Sequence, residues 1–174
     1  MAVSIPNVNE TAAVRADARA GKYLTFHLGR EEFGIGVLNV REIMGMQEIT
    51  AVPQASAHIR GVINRRGKVV PVIDLRAKFG LPPAESTRRT CIIVTQIHGS
   101  SGPVLAGIIV DGVSEVMNVS ASEIEDTPDF GGDIGNHYLL GIAKVKGTVK
   151  ILLDIERALS LDELLEASSD GVAA

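Results

Sequence analysis

The chain has no tryptophan, only four phenylalanines and two tyrosines, one cysteine and four histidines. With aromatics at 3% and a net charge of −4, it offers few rings for bases to stack on and no electrostatic attraction for a phosphate backbone. Nucleic acid is therefore not an expected partner. The single cysteine, Cys91, cannot form an internal disulfide, which fits a reducing compartment. His27, His58, His98 and His137 lie far apart, and neither the His-x-x-x-His nor the Cys-x-x-Cys spacing of a metal site occurs. Residues 1–21 lack a basic segment followed by an apolar one, so no export signal is read there. Residues 90–110 contain no Asp, Glu, Lys or Arg and are long enough to span a bilayer, but Gly99-Ser100-Ser101-Gly102-Pro103 breaks them into two short β-branched runs. The spacing predicts a hairpin, not a membrane span.

What remains is a globular composition, with hydrophobic residues at 45% and charged residues at 22% of 174. That is room for one ordinary domain, or two small barrels sharing an interface. So few rings predict an aliphatic core. Short Val/Ile/Leu-rich runs at 22–28, 69–73, 91–97, 104–110 and 149–153 are bounded by turn residues, which predicts a mainly β chain. Gly29-Arg30-Glu31-Glu32 and Arg65-Arg66-Gly67-Lys68 read as hairpin turns. A helical period shows weakly at 55–60, again at 74–79, and clearly at 154–167, where Ile155, Leu159 and Leu164 share a face.

The chain also repeats itself. Gly34-Ile35-x-Val37-x-x-Val40-x-Glu42-Ile43-Met44 lies without a gap over Gly107-Ile108-x-Val110-x-x-Val113-x-Glu115-Val116-Met117. Further on, Gly61-Val62, Gly67, Val69 and Asp74-Leu75 lie over Gly141-Ile142, Gly147, Val149 and Asp154-Ile155. Two ungapped blocks in the same order imply two copies of one β unit. The expected architecture is two similar five-stranded barrels, roughly 22–88 and 89–155, each too small to bury much alone. They should pack together, and an exchange of terminal strands between them is open. Residues 1–21 and 166–174 read as flexible tails.

A search for catalytic groups finds no nucleophile with its base, no carboxylate pair and no phosphate cradle. Gly34-x-Gly36 lacks the third glycine of a dinucleotide fingerprint and does not open a helix. Asp126, Asp129 and Asp133 lack the alternate-residue acids of a calcium loop. Cys91 sits in an apolar run and reads as an inert strand thiol. Asp74 and Asp154 stand where strand gives way to helix, which is where an N-cap is expected.

Phe33-Gly34-Ile35, Val40-Arg41-Glu42-Ile43, Ile59-Arg60-Gly61-Val62-Ile63-Asn64-Arg65-Arg66-Gly67, Pro71-Val72-Ile73-Asp74-Leu75-Arg76 and Val110-Asp111-Gly112-Val113-Ser114-Glu115-Val116 together resemble the CheW family over about 22–165. The resemblance implies a pair of SH3-like barrels with short helices and a C-terminal helix, no catalytic site and no cofactor. It implies a cytoplasmic adaptor, monomeric alone, that couples the tip of methyl-accepting chemotaxis receptors to the regulatory domain of a CheA-type histidine kinase and is recruited to receptor arrays through those partners. By the same resemblance Val40, Glu42, Gly61, Arg66 and Gly67 match receptor-contacting positions, with Cys91 and Val113 as apolar neighbours. Glu125 and Phe130 match a contact that joins the proteins into rings, and Ile43 and Met46 add an adaptable apolar edge.

Two residues depart from the family's usual pattern: a second arginine at Arg65, and an acid at Glu125 where a basic residue can occur. Glu42 is expected to orient the Arg66 guanidinium across the barrel face, while Glu115, its repeat counterpart, reads as a solvated strand residue. Phe130 either plugs a barrel mouth or faces a partner. The alternatives are an adaptor of a related pathway controlling pilus or gliding motility, and a small β-barrel enzyme or metal-binding protein whose residues converge only in three dimensions.

Overall fold

The computed structural model describes residues 18–99, 102–126 and 138–159. The first copy of the repeat supplies β1 (Gly21–Leu28), β2 (Glu31–Gly36), β3 (Val40–Gly45), β4 (Ile59–Arg65), β5 (Lys68–Asp74) and the short helix α1 (Leu75–Lys78). The second supplies β6 (Cys91–Gly99), β7 (Gly102–Val110), β8 (Gly112–Val119), the two-residue β9 (Ile124–Glu125), β10 (Leu139–Val145), β11 (Thr148–Leu153) and α2 (Ile155–Ala158). The charge-free stretch is the β6–β7 hairpin, and among the described residues no helix is long and apolar enough to cross a membrane.

The strands form two sheets, each drawing on both copies. One runs β3-β6-β7-β5-β4 and the other β8-β1-β2-β11-β10-β9. Each copy gives its first hairpin to the other: β2 lies parallel to β11, pairing Phe33, Gly34 and Ile35 with Ile151, Leu152 and Leu153. In the reciprocal joint β5 lies parallel to β7, pairing Val72, Ile73 and Asp74 with Gly107, Ile108 and Ile109. One residue, Asp111, separates β7 from β8. So short a link cannot carry β8 back across its own hairpin, and the chain passes directly into the other sheet.

The repeat persists in detail. Each copy's last hairpin turns on a residue with positive φ followed by glycine, Arg66 (53°) and Gly67 (83°) in one, Lys146 (51°) and Gly147 (79°) in the other. That pair of left-handed residues suits a two-residue hairpin loop. Gly61 and Gly141 each sit at a bulge against which another segment lies. A Cβ on Gly61 would stand 2.1 Å from the Thr50 carbonyl oxygen, and one on Gly141 would stand 2.7 Å from that of Glu125. Thr50 and Val62 exchange both backbone hydrogen bonds there, at 2.9 and 2.8 Å. Asp74 caps α1 by accepting from the Arg76 and Ala77 amides, and Asp154 caps α2 by accepting from that of Arg157.

A central core joins the sheets, with Leu24, Phe26, Ile35, Ile73, Leu75, Ile93, Ile108, Leu153 and Ile155 all buried. Each barrel also has a smaller core of its own. The core is aliphatic apart from Tyr23, buried in the second barrel's cluster, and one feature that composition hid: four of the six rings form a row, Phe26–Phe33–Phe79–Tyr138, with centroids 6.0, 5.9 and 6.3 Å apart. The helix expected over 55–60 is absent. Ala57 and His58 form a turn and Ile59 opens β4, because pairing with β5 and Thr50 satisfies this backbone and six residues cannot hold a helix alone. Of the helix expected over 154–167, only the capped first turn lies within the described residues.

The two joints differ in one charge. In the second sheet Lys150 is buried and forms an ion pair with Glu32 across β2 and β11. By the repeat, the first sheet has Val70 and Leu105 at those places, both apolar. Lys150→Val alone should cost about 1–3 kcal/mol, because it takes the cation from the half-buried Glu32 carboxylate, whereas Glu32→Leu with Lys150→Val, which installs the other joint's residues, should be neutral or stabilising. Gly61→Ala should cost about 2–3 kcal/mol through its clash with backbone. At Gly67, where a Cβ meets nothing within 4 Å, alanine should cost only the strain of positive φ, about 1 kcal/mol. Urea midpoints of these variants check all four values.

Candidate partner-binding face

The first sheet begins and ends on β3 and β4, so closing it into a barrel brings these strands together along a seam. Along β3, Glu42 and Met44 share the inward face, and Met44 packs on the barrel's own core with Met46 and Ile49. Along β4, Ile63 and Arg65 share the inward face, and Ile63 belongs to the same core. Arg65 and Glu42 meet over it: both the Nε and an Nη of the guanidinium bond one Glu42 carboxylate oxygen. The ion pair spans the seam with little of either side chain in water, 18% for Arg65 and 33% for Glu42.

This corrects the expectation for Glu42. The arginine it orients is Arg65; Arg66 lies beyond the strand end with its side chain exposed and no ion partner among the described residues. The reason is geometric, since strand alternation turns Arg65 inward and the left-handed turn at Arg66 points it away. The turn is held by Asn64, whose Oδ1 accepts from the Gly67 amide at 2.9 Å.

Cys91 and Val113 are brought together, while Val40 lies along β3 from them, opposite Thr95 where Cys91 is opposite Gly45. All three are half-buried and pack against the central core, and the Cys91 sulfur receives the Val113 backbone amide. Burial pushes the Cys91 thiol above its ordinary value despite that hydrogen bond, which leaves a weakly nucleophilic apolar side chain. Ile43 points outward and is 45% exposed. Gly61 is buried beneath Thr50, so it shapes the face by admitting that segment. Glu125 is exposed on β9 and pairs with Lys144 at 3.1 Å. Phe130 lies outside the described residues, as do Asp129 and Asp133, while Asp126 pairs with Arg19 at 3.0 Å.

A second ion pair ties the copies together beside this face. Arg76, at the start of α1, forks onto Asp111 in the β7–β8 link, at 2.9 Å from Nε and 2.5 Å from Nη2, and its other Nη donates to the Pro82 carbonyl at 2.8 Å. Asp111 also accepts from the Gly29 amide at 2.7 Å. The Arg76 guanidinium, with the Gly29 amide, holds the Asp111 carboxyl below the usual aspartate range. Both residues lie in the motifs that carry the family resemblance, but their pairing was not read from the sequence, because it depends on where β7 passes into β8 beside α1.

Among the described residues no three of His, Cys, Asp and Glu converge as metal ligands. An open groove of about 220 Å³ runs beside the aromatic row, lined by Phe33, Phe79, Tyr138, Ile151 and Leu153 with Glu31 as its only carboxylate. Its chemistry is that of a contact surface.

Residues 22–163 match the model of the CheW-like domain. The chain is 39% identical to a chemotaxis protein CheW of Klebsiella aerogenes over 87% of its own length and 88% of that protein's. It is 36% identical to a probable chemotaxis protein CheW of Rhizobium etli over 80% of this chain and 88% of that one. The crystal structure of the scaffolding protein TtCheW from Thermoanaerobacter tengcongensis superposes with a TM-score of 0.72 at 31% identity, covering 83% of this chain and 95% of that one.

The Asp111 geometry sets a pH dependence. Its carboxyl is depressed in the folded state, so the stability it contributes is present above the unfolded aspartate value of about 3.9 and is lost as pH falls through the lower folded value. Asp111→Asn should cost about 1–3 kcal/mol at neutral pH. In denaturant titrations from pH 7 to pH 2, the gap between the two proteins should close only below the unfolded value.

Proposed function

Because the chain belongs to the CheW family of chemotaxis scaffold proteins, we propose that it couples the cytoplasmic tip of methyl-accepting receptors to the regulatory domain of a CheA-type histidine kinase, without catalysis and without a cofactor. It works in the cytoplasm, held at receptor arrays by its partners. The observation that carries the reading is the β3–β4 seam of the first barrel, where half-buried Val40 and exposed Ile43 lie either side of Glu42, the Glu42–Arg65 pair joins the two strands, and Arg66 stands exposed just beyond β4 without an ion partner among the described residues. An apolar patch with an arginine near it is the composition of an interface anchor. Glu42 and Gly67 shape and border this face, and Gly61 supports it from beneath. The kinase and ring contacts are assigned to Ile43, Met46 and Glu125, with Phe130.

Affinity in such a scaffold is spread over several small surfaces, so control of the kinase follows from geometry. Calorimetric titration should show binding of the kinase regulatory domain in the absence of nucleotide and metal; no binding by folded protein would remove the reading. Arg66 sits where its loss should harm binding more than folding. Arg66→Ala should weaken receptor-tip binding by about thirty-fold, or roughly 2 kcal/mol, while shifting stability by less than about 0.5 kcal/mol. Its repeat counterpart gives the control, since Lys146→Ala should leave receptor affinity nearly unchanged. Equal losses from the two would show that the first-barrel turn is not the contact.

A further inference from the structure

The two barrels close their seams differently. In the second, Val145 occupies the position of Arg65; it is buried in an apolar cluster that also holds Val119 of β8 and Ile124 of β9, so no charge sits at that place. Glu115, the counterpart of Glu42, is exposed there. In the first barrel an arginine replaces the valine, and the glutamate turns inward to meet it. The repeat therefore shows that an ion pair is not needed to close such a barrel. Its presence in the first barrel alone, beside the proposed receptor face, calls for another explanation.

That explanation lies in what Glu42 would do unpaired. It stands on β3 between half-buried Val40 and exposed Ile43. A partner covering these apolar groups also strips water from the carboxylate, and an ionised carboxylate without a partner is costly to desolvate. Arg65 meets that carboxylate from within the same chain, through two guanidinium nitrogens on one oxygen. Two N–H groups of one planar guanidinium on that oxygen fix orientation as well as charge.

We propose that Arg65 is a positioning residue for the receptor-contacting face: it holds Glu42 in an internal ion pair so that the partner meets a neutral, ordered surface and not a free carboxylate. Arg66 then remains the charged group offered at this edge. The inference rests on the receptor-contact reading given above for Val40 and Glu42.

The test is a set of titrations of the full-length protein with a receptor-tip fragment, each variant first checked for folding by its denaturant midpoint. Arg65→Leu, which imitates the second barrel, should weaken binding about tenfold, on the scale of an uncompensated charge at an interface. Glu42→Gln with Arg65→Leu removes the stranded carboxylate and should bind at least about threefold more tightly than Arg65→Leu alone. Arg65→Lys keeps the charge but not the planar guanidinium, should fall between the two, and serves if Arg65→Leu does not fold. A merely structural arginine would not give this recovery, since the double variant has lost the ion pair as well. Arg65→Leu binding as tightly as the unmutated protein or tighter would overturn the proposal, because Glu42 would then serve the partner best when free. So would a double variant as weak as Arg65→Leu. Absence of binding by the unmutated protein would instead overturn the receptor-contact reading, and this inference with it.

Discussion

Two parallel joints, residues 33–35 against 151–153 and 72–74 against 107–109, carry the architecture. Each fixes a hairpin of one copy inside the sheet of the other, so neither barrel is complete without strands from both halves of the chain. The central core follows from this arrangement, since Ile35, Leu153, Ile73 and Ile108, which lie in the joints, are all nearly inaccessible to solvent and pack into one cluster. Glycines are required where the joints crowd: a Cβ on Gly107 would approach the Ile92 side chain to 2.9 Å. The Arg76–Asp111 fork then ties the first copy's helix to the one-residue link that sends the second copy's chain across. A partner that touches β3, β6 and β8 at once therefore touches both copies, and the shape it meets is set by the joints.

On this shared frame the copies have diverged by moving charge. The second barrel buries Lys150 against half-buried Glu32 at its joint, while the first has Val70 and Leu105 at those places. The first places Glu42 with Arg65 at its seam, while the second has buried Val145 at the arginine's place. Duplication supplied equivalent positions, and the placement of these few side chains makes the two surfaces unlike. One β unit, used twice, thus offers two unlike surfaces.

Much of this was legible in the sequence because it depends on local chemistry. The turns at Arg66-Gly67 and Lys146-Gly147, the capping roles of Asp74 and Asp154, and the hairpin within 90–110 each follow from residues close together in the chain. The two-copy pattern was legible because Gly61 and Gly141, and Gly34 and Gly107, recur with fixed spacing at crowded places, where a Cβ would come within 3.2 Å of a neighbour or closer. What escaped was set by long-range register. Arg65 and Arg66 are neighbours in sequence, but only the alternation of β4 and the closure of the barrel decide which of them Glu42 meets. Lys150 looks like an ordinary polar residue in a strand until β2 is placed beside β11. The row Phe26–Phe33–Phe79–Tyr138 gathers rings separated by more than a hundred residues at its ends.

The central proposal is that this double barrel presents β3 and the Arg66 turn to a receptor, with Cys91 and Val113 at the far end of the same contact. Amide chemical-shift mapping of the isotopically labelled protein with an unlabelled receptor-tip hairpin tests it most directly. The account predicts shifts concentrated on β3, the start of β6, the start of β8 and the turn at Arg66 and Gly67, with the equivalent turn at Lys146 and Gly147 left unmoved. Shifts concentrated on the second barrel's turn, with β3 and Arg66 unaffected, would contradict it.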